Sequence, residues 1–432
     1  MKQAATEKRK NFWCIIFILS SFLLYIVLTG SKNLYVAEKT TLETLGFGSY
    51  IELAMTMEYY FYAYAAMQVL LIFFMKRINV KWFLTATISV SALLTIYVAF
   101  SQTLVEHYVI YIANGFLQAG IWGCLLKLIS DSLPMRFLPF ANKLMSAGPA
   151  VAGIVSYGTA AAFGDEWRTP FIVLGVLLLL AVGLYFFAAT KVSRMPKEED
   201  ELVIFKANGT REEVNAREEN DFIHLDSRLR VIIFYIVAAI MSFFITSLFF
   251  MLNNNIDAFF KEIGGFSNDI AKLITILVPI SIVIGPIVTV NSCEKHKNFI
   301  LVGAVYFGIS ALLSLLIVFL YDAHIVISTI LLLAFLIVCN GARTITLSIV
   351  AIKMRKKIDT GVFSTTVNAT SSIASGFAPR FLASILDNES LSVTESWQMS
   401  FISVFALNAF IVVAILLIEL WVYLANRKKE SN

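Results

Sequence analysis

Charge is scarce in this chain. Asp, Glu, Lys and Arg make up 15% of its 432 residues, against about 25% in a soluble domain. Apolar residues reach 58%, with 36 Phe, and that excess must face lipid. A large basic surplus is also lacking. The net charge is +4, and the Lys and Arg lie in short clusters between apolar runs, so nucleic-acid binding has no support. Cysteine is limited to Cys14, Cys124, Cys293 and Cys339. They are scattered, mostly inside apolar segments, and show neither metal-ligand spacing nor a disulfide framework. The four His all fall outside the expected membrane centre. No Gly-rich loop ends in Lys-Ser or Lys-Thr, which argues against an ATPase. No nucleophile–base or metal constellation falls at membrane depth, so neither an enzyme nor a cofactor is expected.

What the chain has instead is long apolar runs. Crossing the hydrocarbon takes about 20 helical residues. Twelve stretches qualify: 12–38, 49–75, 82–101, 108–130, 140–163, 169–189, 231–260, 268–290, 298–321, 324–352, 360–386 and 396–425. The basic start, MKQAATEKRK, precedes the first run as in a signal peptide. No small-residue cleavage site follows, so it reads as the lead into the first membrane helix. With the N-terminus inside, the inner segments hold 26 Lys and Arg and the outer ones five: Lys32, Lys39, Arg168, Lys261 and Lys272. The positive-inside rule then places both termini in the cytoplasm, as expected for a multi-pass plasma (inner) membrane protein with an even number of spans.

Lys191 to Arg230 is the one long hydrophilic stretch, dense in Glu, Lys and Arg. It reads as a flexible cytoplasmic linker at 191–230 between bundles at 1–190 and 231–432. An internal repeat supports the division. Asn114, Gly115 and Lys127 recur 226 residues later as Asn340, Gly341 and Lys353, and the same offset takes Asn142 to Asn368 and Ser146 to Ser372. Trp167 and Phe171 before span 6 match Trp397 and Phe401 before span 12. The fold class expected is an all-α membrane protein: twelve transmembrane helices in two pseudo-symmetric six-helix bundles.

On these features the chain resembles the major facilitator superfamily (MFS), and within it the organophosphate:phosphate antiporter branch and related anion transporters. The motif carrying the likeness is NGFLQAGIWGCLLKLISDSLP in span 4, with Asn114, Gly115, Gln118, Gly120 and Trp122. Pro279 and Gly285 in span 8, Asn368, Gly376 and Pro379 in span 11, Lys32-Asn33 in span 1 and Tyr64 in span 2 add to it. Three departures matter. Ser31 stands where the branch has a phosphate-binding Arg, span 7 has no Arg, and Gln68 stands where some members have Lys. A phosphate substrate would lose two forked ligands. The loop 2–3 signature Gly-x-x-x-Asp-Arg is reduced to Ile72-Phe-Phe-Met-Lys76-Arg77.

An ionisable side chain at mid-depth is a functional candidate by default. Arg343 lies nine residues before the inner end of span 10, about 13 Å deep, as an anion-binding charge or the partner of a carboxylate. Lys32 and Glu58 lie in the outer halves of spans 1 and 2. They either pair together or split the work, Lys32 attracting substrate and Glu58 carrying a proton. Asn253, Asn254 and Asn255 with Asp257 interrupt an aromatic span. Three amides cannot all face lipid, so at least one faces a cavity or breaks the helix. Asn253 and Asn254 are candidate substrate ligands, and Asp257 a candidate for coupling. Tyr60 and Tyr64 share one face of span 2, and with Trp122 they are candidate cavity walls. Lys127, Lys353 and Arg380 read as charges that snorkel to a membrane face.

These residues predict a secondary transporter for a small polar, anionic solute, working by alternating access. It is expected as a monomer in the bilayer, with a coupling proton or counter-anion. Two alternatives stand beside it. One is a proton-coupled drug or metabolite efflux antiporter. The other is a non-transporting membrane receptor that keeps the fold.

Overall fold

Peptide groups in hydrocarbon have no water to bond, so each apolar run must close its own hydrogen bonds as helix. The computed structural model describes residues 2–74, 77–194, 228–296, 298–350, 358 and 360–430. Its helices are α1 (Lys2–Thr44), α2 (Tyr50–Phe74), α3 (Val80–Val98), α4 (Leu104–Gln118), α5 (Ile121–Ser132), α6 (Leu138–Phe163), α7 (Arg168–Ser193), α8 (Arg228–Asn253), α9 (Ile256–Glu262), α10 (Asn268–Thr275), α11 (Val278–Lys295), α12 (Phe299–Leu320), α13 (Ile325–Thr344), α14 (Thr360–Leu386) and α15 (Val393–Glu430). Residues 195–227, most of the expected linker, lie outside the described residues, as does Lys353.

Four expected spans are not simple helices, and three breaks have local causes. Span 7 parts at Asn254-Asn255, between α8 and α9. Asn side chains compete with the backbone for its own hydrogen bonds, and Asn255 Nδ2 donates to the Met251 carbonyl at 2.8 Å. Span 8 parts between α10 and α11, just before Pro279. Proline lacks the N–H a continuous helix needs and disfavours helical geometry in the residue before it. Span 4 parts at Ala119-Gly120, between α4 and α5, where glycine weakens the helix. In span 10, α13 runs into a π-helical turn over Ile345–Ile349.

Among the described residues, eight helical segments are long and apolar enough to cross a membrane by length and composition. The other spans are α2, α6, α10–α11 and α14, and their content of Tyr, Ser, Thr and Gly follows from where they pack. α2 lies along α14, and α6 lies against α10 and α11. They form the seam between the two halves, shielded from lipid, so Tyr, Ser, Thr and Gly are tolerated there. Tyr50 and Ala54 at the start of α2 even enter the apolar core of the C-terminal half.

Each half repeats one packing plan. α1 packs on α6, α2 on α4, and α3 on both α7 and α4. Correspondingly, α8 packs on α14, α11 on α13, and α12 on both α15 and α13. The 226-residue offset now has a physical meaning. A Cβ on Gly115 would strike the Tyr60 carbonyl, and one on Gly341 would strike Thr289 and the Gly285 backbone. In both halves the same glycine lets two helices touch backbone to backbone. Gly341→Ala should therefore lower stability by about 1–3 kcal/mol, as overpacking does, read as a lower midpoint of thermal unfolding in detergent. An unchanged midpoint would contradict this close crossing.

Candidate functional site

The start of α1 and the end of α15 lie on one face of the bundle; the α1–α2 turn lies on the other. Between these faces, one cation from each half approaches the seam. Lys32 of α1 sits over Phe61 of α2, with Nζ 5.3 Å from the ring centre, and 5.9 Å from Tyr60. Arg343 of α13 sits over Phe250 and Phe249 of α8, at 5.2 and 5.4 Å. Phe61 and Phe250 meet edge to face at 6.2 Å. The order is therefore Lys32, Phe61, Phe250, Arg343, running across the seam between the halves.

Neither cation has a carboxylate within ion-pair range among the described residues. Arg343 makes one side-chain hydrogen bond, to Asn340 Oδ1 at 3.1 Å, and its Nε has no partner. Each of the two charges lies in the other's field. Cation–π contact returns on the order of 2 kcal/mol to a desolvated cation, which is less than its loss of hydration. Two half-buried like charges are thus held on either side of an aromatic pair.

The other expected residues divide. Tyr64 stacks on Tyr60 at 5.9 Å and, like Trp122, is half-buried; Trp122 leans on Tyr25 at 5.2 Å. Tyr60 turns its hydroxyl away from the seam, donating to Gln118 Oε1 at 2.8 Å, while Gln118 donates to Ser91 at 2.8 Å. Only its ring faces Lys32. The pairing of Lys32 with Glu58, one of the two alternatives read from the sequence, does not occur. Glu58 instead accepts from Arg380 at 2.8 Å and from Tyr62 at 2.6 Å. Arg380, read from sequence as a charge snorkelling to a membrane face, ties α14 to α2. Gly376, one turn before it, lies against the Glu58 backbone.

Toward the face opposite the termini, the halves are sealed by buried polar contacts. Lys272 of α10 pairs with Glu38 of α1 at 2.8 Å, both side chains fully buried. It also donates to Thr41 at 2.9 Å. Asn268 and Thr40 bond at 2.9 Å, as do Asn268 and Thr41. Lys39 donates to Asn255 Oδ1 at 2.6 Å and to the Asn254 carbonyl at 3.1 Å, and lies 3.8 Å over the Tyr50 ring. The Tyr50 hydroxyl donates to Asn255 at 3.0 Å. Lys39 and Lys272, counted in sequence as outer residues, are thus buried.

The three asparagines have separate roles. Asn255 holds the seal together. Asn254 offers its carbonyl to Lys39. Asn253, half-buried, bonds the Asn254 side chain at 2.7 Å, and its Oδ1 lacks a partner. Asp257 is fully buried, and no side chain reaches its carboxylate oxygens. Its nearest donors are the amides at the start of α9, with Lys39 and Lys272 as charged neighbours.

Sequence reading missed Glu38, Lys39, Tyr50, Asn255 and Lys272 as a group. The signal available was two adjacent charges, Glu38-Lys39, directly after the apolar turn Leu34-Tyr35-Val36-Ala37. Their partners lie more than 200 residues away in the chain, and nothing local points to them.

Two six-helix halves that meet along a seam are the architecture of a large class of membrane transporters. The model of the Major Facilitator Superfamily matches residues 11–379, and the chain belongs to that family. Solved structures share its fold. A D-xylose–proton symporter aligns with a TM-score of 0.71 at 13% identity, covering 93% of this chain and 97% of that one. A bacterial homologue of the human lysosomal transporter Spinster, inward-facing and occupied, gives 0.70 at 12% identity, covering 93% and 95%. The nucleoside transporter NupG gives 0.64 at 14% identity, covering 94% and 98%. No curated protein matches the sequence.

Proposed function

We propose that this protein is a secondary transporter that moves a small organic anion by alternating access, with Lys32 and Arg343 as the two charges that hold it. One observation carries the reading: each half contributes one cation to the seam, and neither cation has a carboxylate partner among the described residues. An anion placed between them draws the halves together; without it, like charges push them apart. Tyr64, Trp122 and Asn253 supply polar wall around the same space. The same charges repel a cationic drug, which disfavours the efflux alternative. The likeness to organophosphate antiporters rests on motifs. One Arg and one Lys suit a carboxylate or a singly esterified phosphate better than a site needing two forked Arg ligands.

The loop charges place both termini in the cytoplasm. The sealed face is then extracellular, and the arrangement is inward-facing. We read the two halves as bundles at 1–190 and 231–432 joined by a linker. One chain supplies both halves of the site, which suits a monomer.

Asp257 is the coupling residue in this reading. Its carboxylate is buried among Lys39 of α1, Tyr50 of α2, Tyr157 of α6, Lys272 of α10 and Glu262 of α9. Opening the seal hydrates it, so a proton can be exchanged once per cycle. Asp257→Asn should leave anion binding within about twofold of wild type and remove the pH dependence of uptake, followed in liposomes at pH 5.5 and 7.5. A pH profile identical to wild type would exclude Asp257 as the carrier. The transporter reading itself is tested by counterflow in proteoliposomes. Accumulation of labelled anion against an unlabelled internal pool supports it. Measurable binding with no counterflow supports a receptor.

A further inference from the structure

A second cavity lies away from the seam, inside the C-terminal half, where α8, α12, α13 and α15 leave a crevice of about 420 Å³. Met241 and Ile245 of α8, Phe307 of α12, Ala342 of α13 and Ile345 of the π-helical turn after it form its deep, buried end. Its mouth, on the face that carries the termini, has Arg230 and a half-exposed Trp421. Among the described residues of the wall, Arg230 and Thr346 are the only side chains with a charge or a hydroxyl.

The duplicated fold supplies a comparison within the same molecule. In the N-terminal half the matching seam lies between α1 and α7, and it is packed shut. Trp13 meets Phe187 at 5.6 Å and Phe17 meets Tyr185 at 6.2 Å. In the C-terminal half α8 and α15 touch only briefly, and the crevice fills the gap.

We propose that this crevice binds one acyl chain of an anionic phospholipid, with its headgroup on Arg230. An apolar cavity of this kind does not hold water, and in a membrane the available filler is hydrocarbon. Its length fits. Arg230 to Ile245 spans fifteen residues of α8, about 22 Å. That covers the interface and the roughly 15 Å of one leaflet's hydrocarbon. Its mouth gives the charge: a guanidinium and an indole at headgroup level select an anionic lipid. Among the described residues of the wall none is a carboxylate; Glu419 of α15 is turned to Asn298, at 2.5 Å. The deep end also touches α13 on both sides of Arg343. The proposal nonetheless stands apart from any role of Arg343 in transport.

Native mass spectrometry of the delipidated, purified protein tests this, using phosphatidylglycerol, phosphatidylcholine and free palmitate as separate probes. The expected result is one retained phosphatidylglycerol, at least tenfold preferred over phosphatidylcholine, with no retention of palmitate. Arg230→Gln should abolish the preference but keep phospholipid binding. Gly303→Leu fills the crevice and should abolish retention. A Cβ there meets only Ile345, at 3.6 Å, so the backbone accommodates it. Gly308→Leu, on the same helix in open space, is the control and should retain lipid. Equal retention by wild type and Gly303→Leu would overturn the proposal, as would loss in Gly308→Leu or palmitate binding as tight as phosphatidylglycerol.

Discussion

Arg343→Gln should reduce anion exchange in proteoliposomes by at least a hundredfold while the protein stays folded. Two features of the site set this expectation. First, Arg343 spends its desolvation on no structural partner: one hydrogen bond to Asn340, an unpaired Nε and two aromatic rings. Glutamine keeps an amide donor for Asn340 and removes an uncompensated charge, so the empty protein should melt at or above the wild-type temperature. Second, a hydrogen bond to a charged group is worth about 1.5–3 kcal/mol, and a guanidinium gives an anion two. Losing about 3 kcal/mol is a factor on the order of 10². Lys32→Gln should follow the same pattern with a smaller loss, because an ammonium acts as a point charge. A folded Arg343→Gln protein that exchanges anion at the wild-type rate would remove Arg343 from the site.

The second large effect concerns the seal. Glu38 and Lys272 are fully buried and 2.8 Å apart. Removing one partner leaves a buried charge alone, at a cost of about 3–5 kcal/mol to the closed arrangement. Lys272→Met should therefore shift the population toward opening on that face by on the order of 10²–10³. Replacing both, as Glu38→Gln with Lys272→Met, should return most of the closed state, because no lone charge remains. Spin labels at Leu45 and Ile270, exposed residues on opposite sides of the seal, report this as a distance distribution. The single variant should show a longer component that shrinks in the double variant. A wild-type distribution in Lys272→Met would show that the ion pair does not hold the seal.

Depth along a helix is legible in a sequence; direction around it and partners across a seam are not. Counting residues placed Arg343 near mid-membrane and Lys32 in the outer half of span 1, but not that their rings, Phe250 and Phe61, would meet. The 226-residue offset identified Gly115 and Gly341 as equivalent before any helix contact was visible. Counting could not tell which way Tyr60 points its hydroxyl, because Gln118 of α4 decides that. Nor could it pair Glu58 with Arg380, 322 residues on, when Lys32 lay nearer in the chain. The asparagine run was readable as a break in span 7. That Asn255 clasps Lys39 and Tyr50 depends on the other half of the protein. The runs at 49–75 and 360–386 were readable as spans, but that α2 and α14 pack along each other was not.

The claim on which the rest depends is that Lys32 and Arg343 form one anion site. Thermal unfolding of the purified protein with sugar phosphates, carboxylates, neutral sugars and cationic drugs tests it most directly. A ligand at a hundred times its dissociation constant adds about 2.7 kcal/mol to native stability, a clear rise in melting temperature. The account predicts that stabilisation comes from anions alone and is lost in both Lys32→Gln and Arg343→Gln. Stabilisation by a neutral sugar or a cation, with none from any anion, would contradict it.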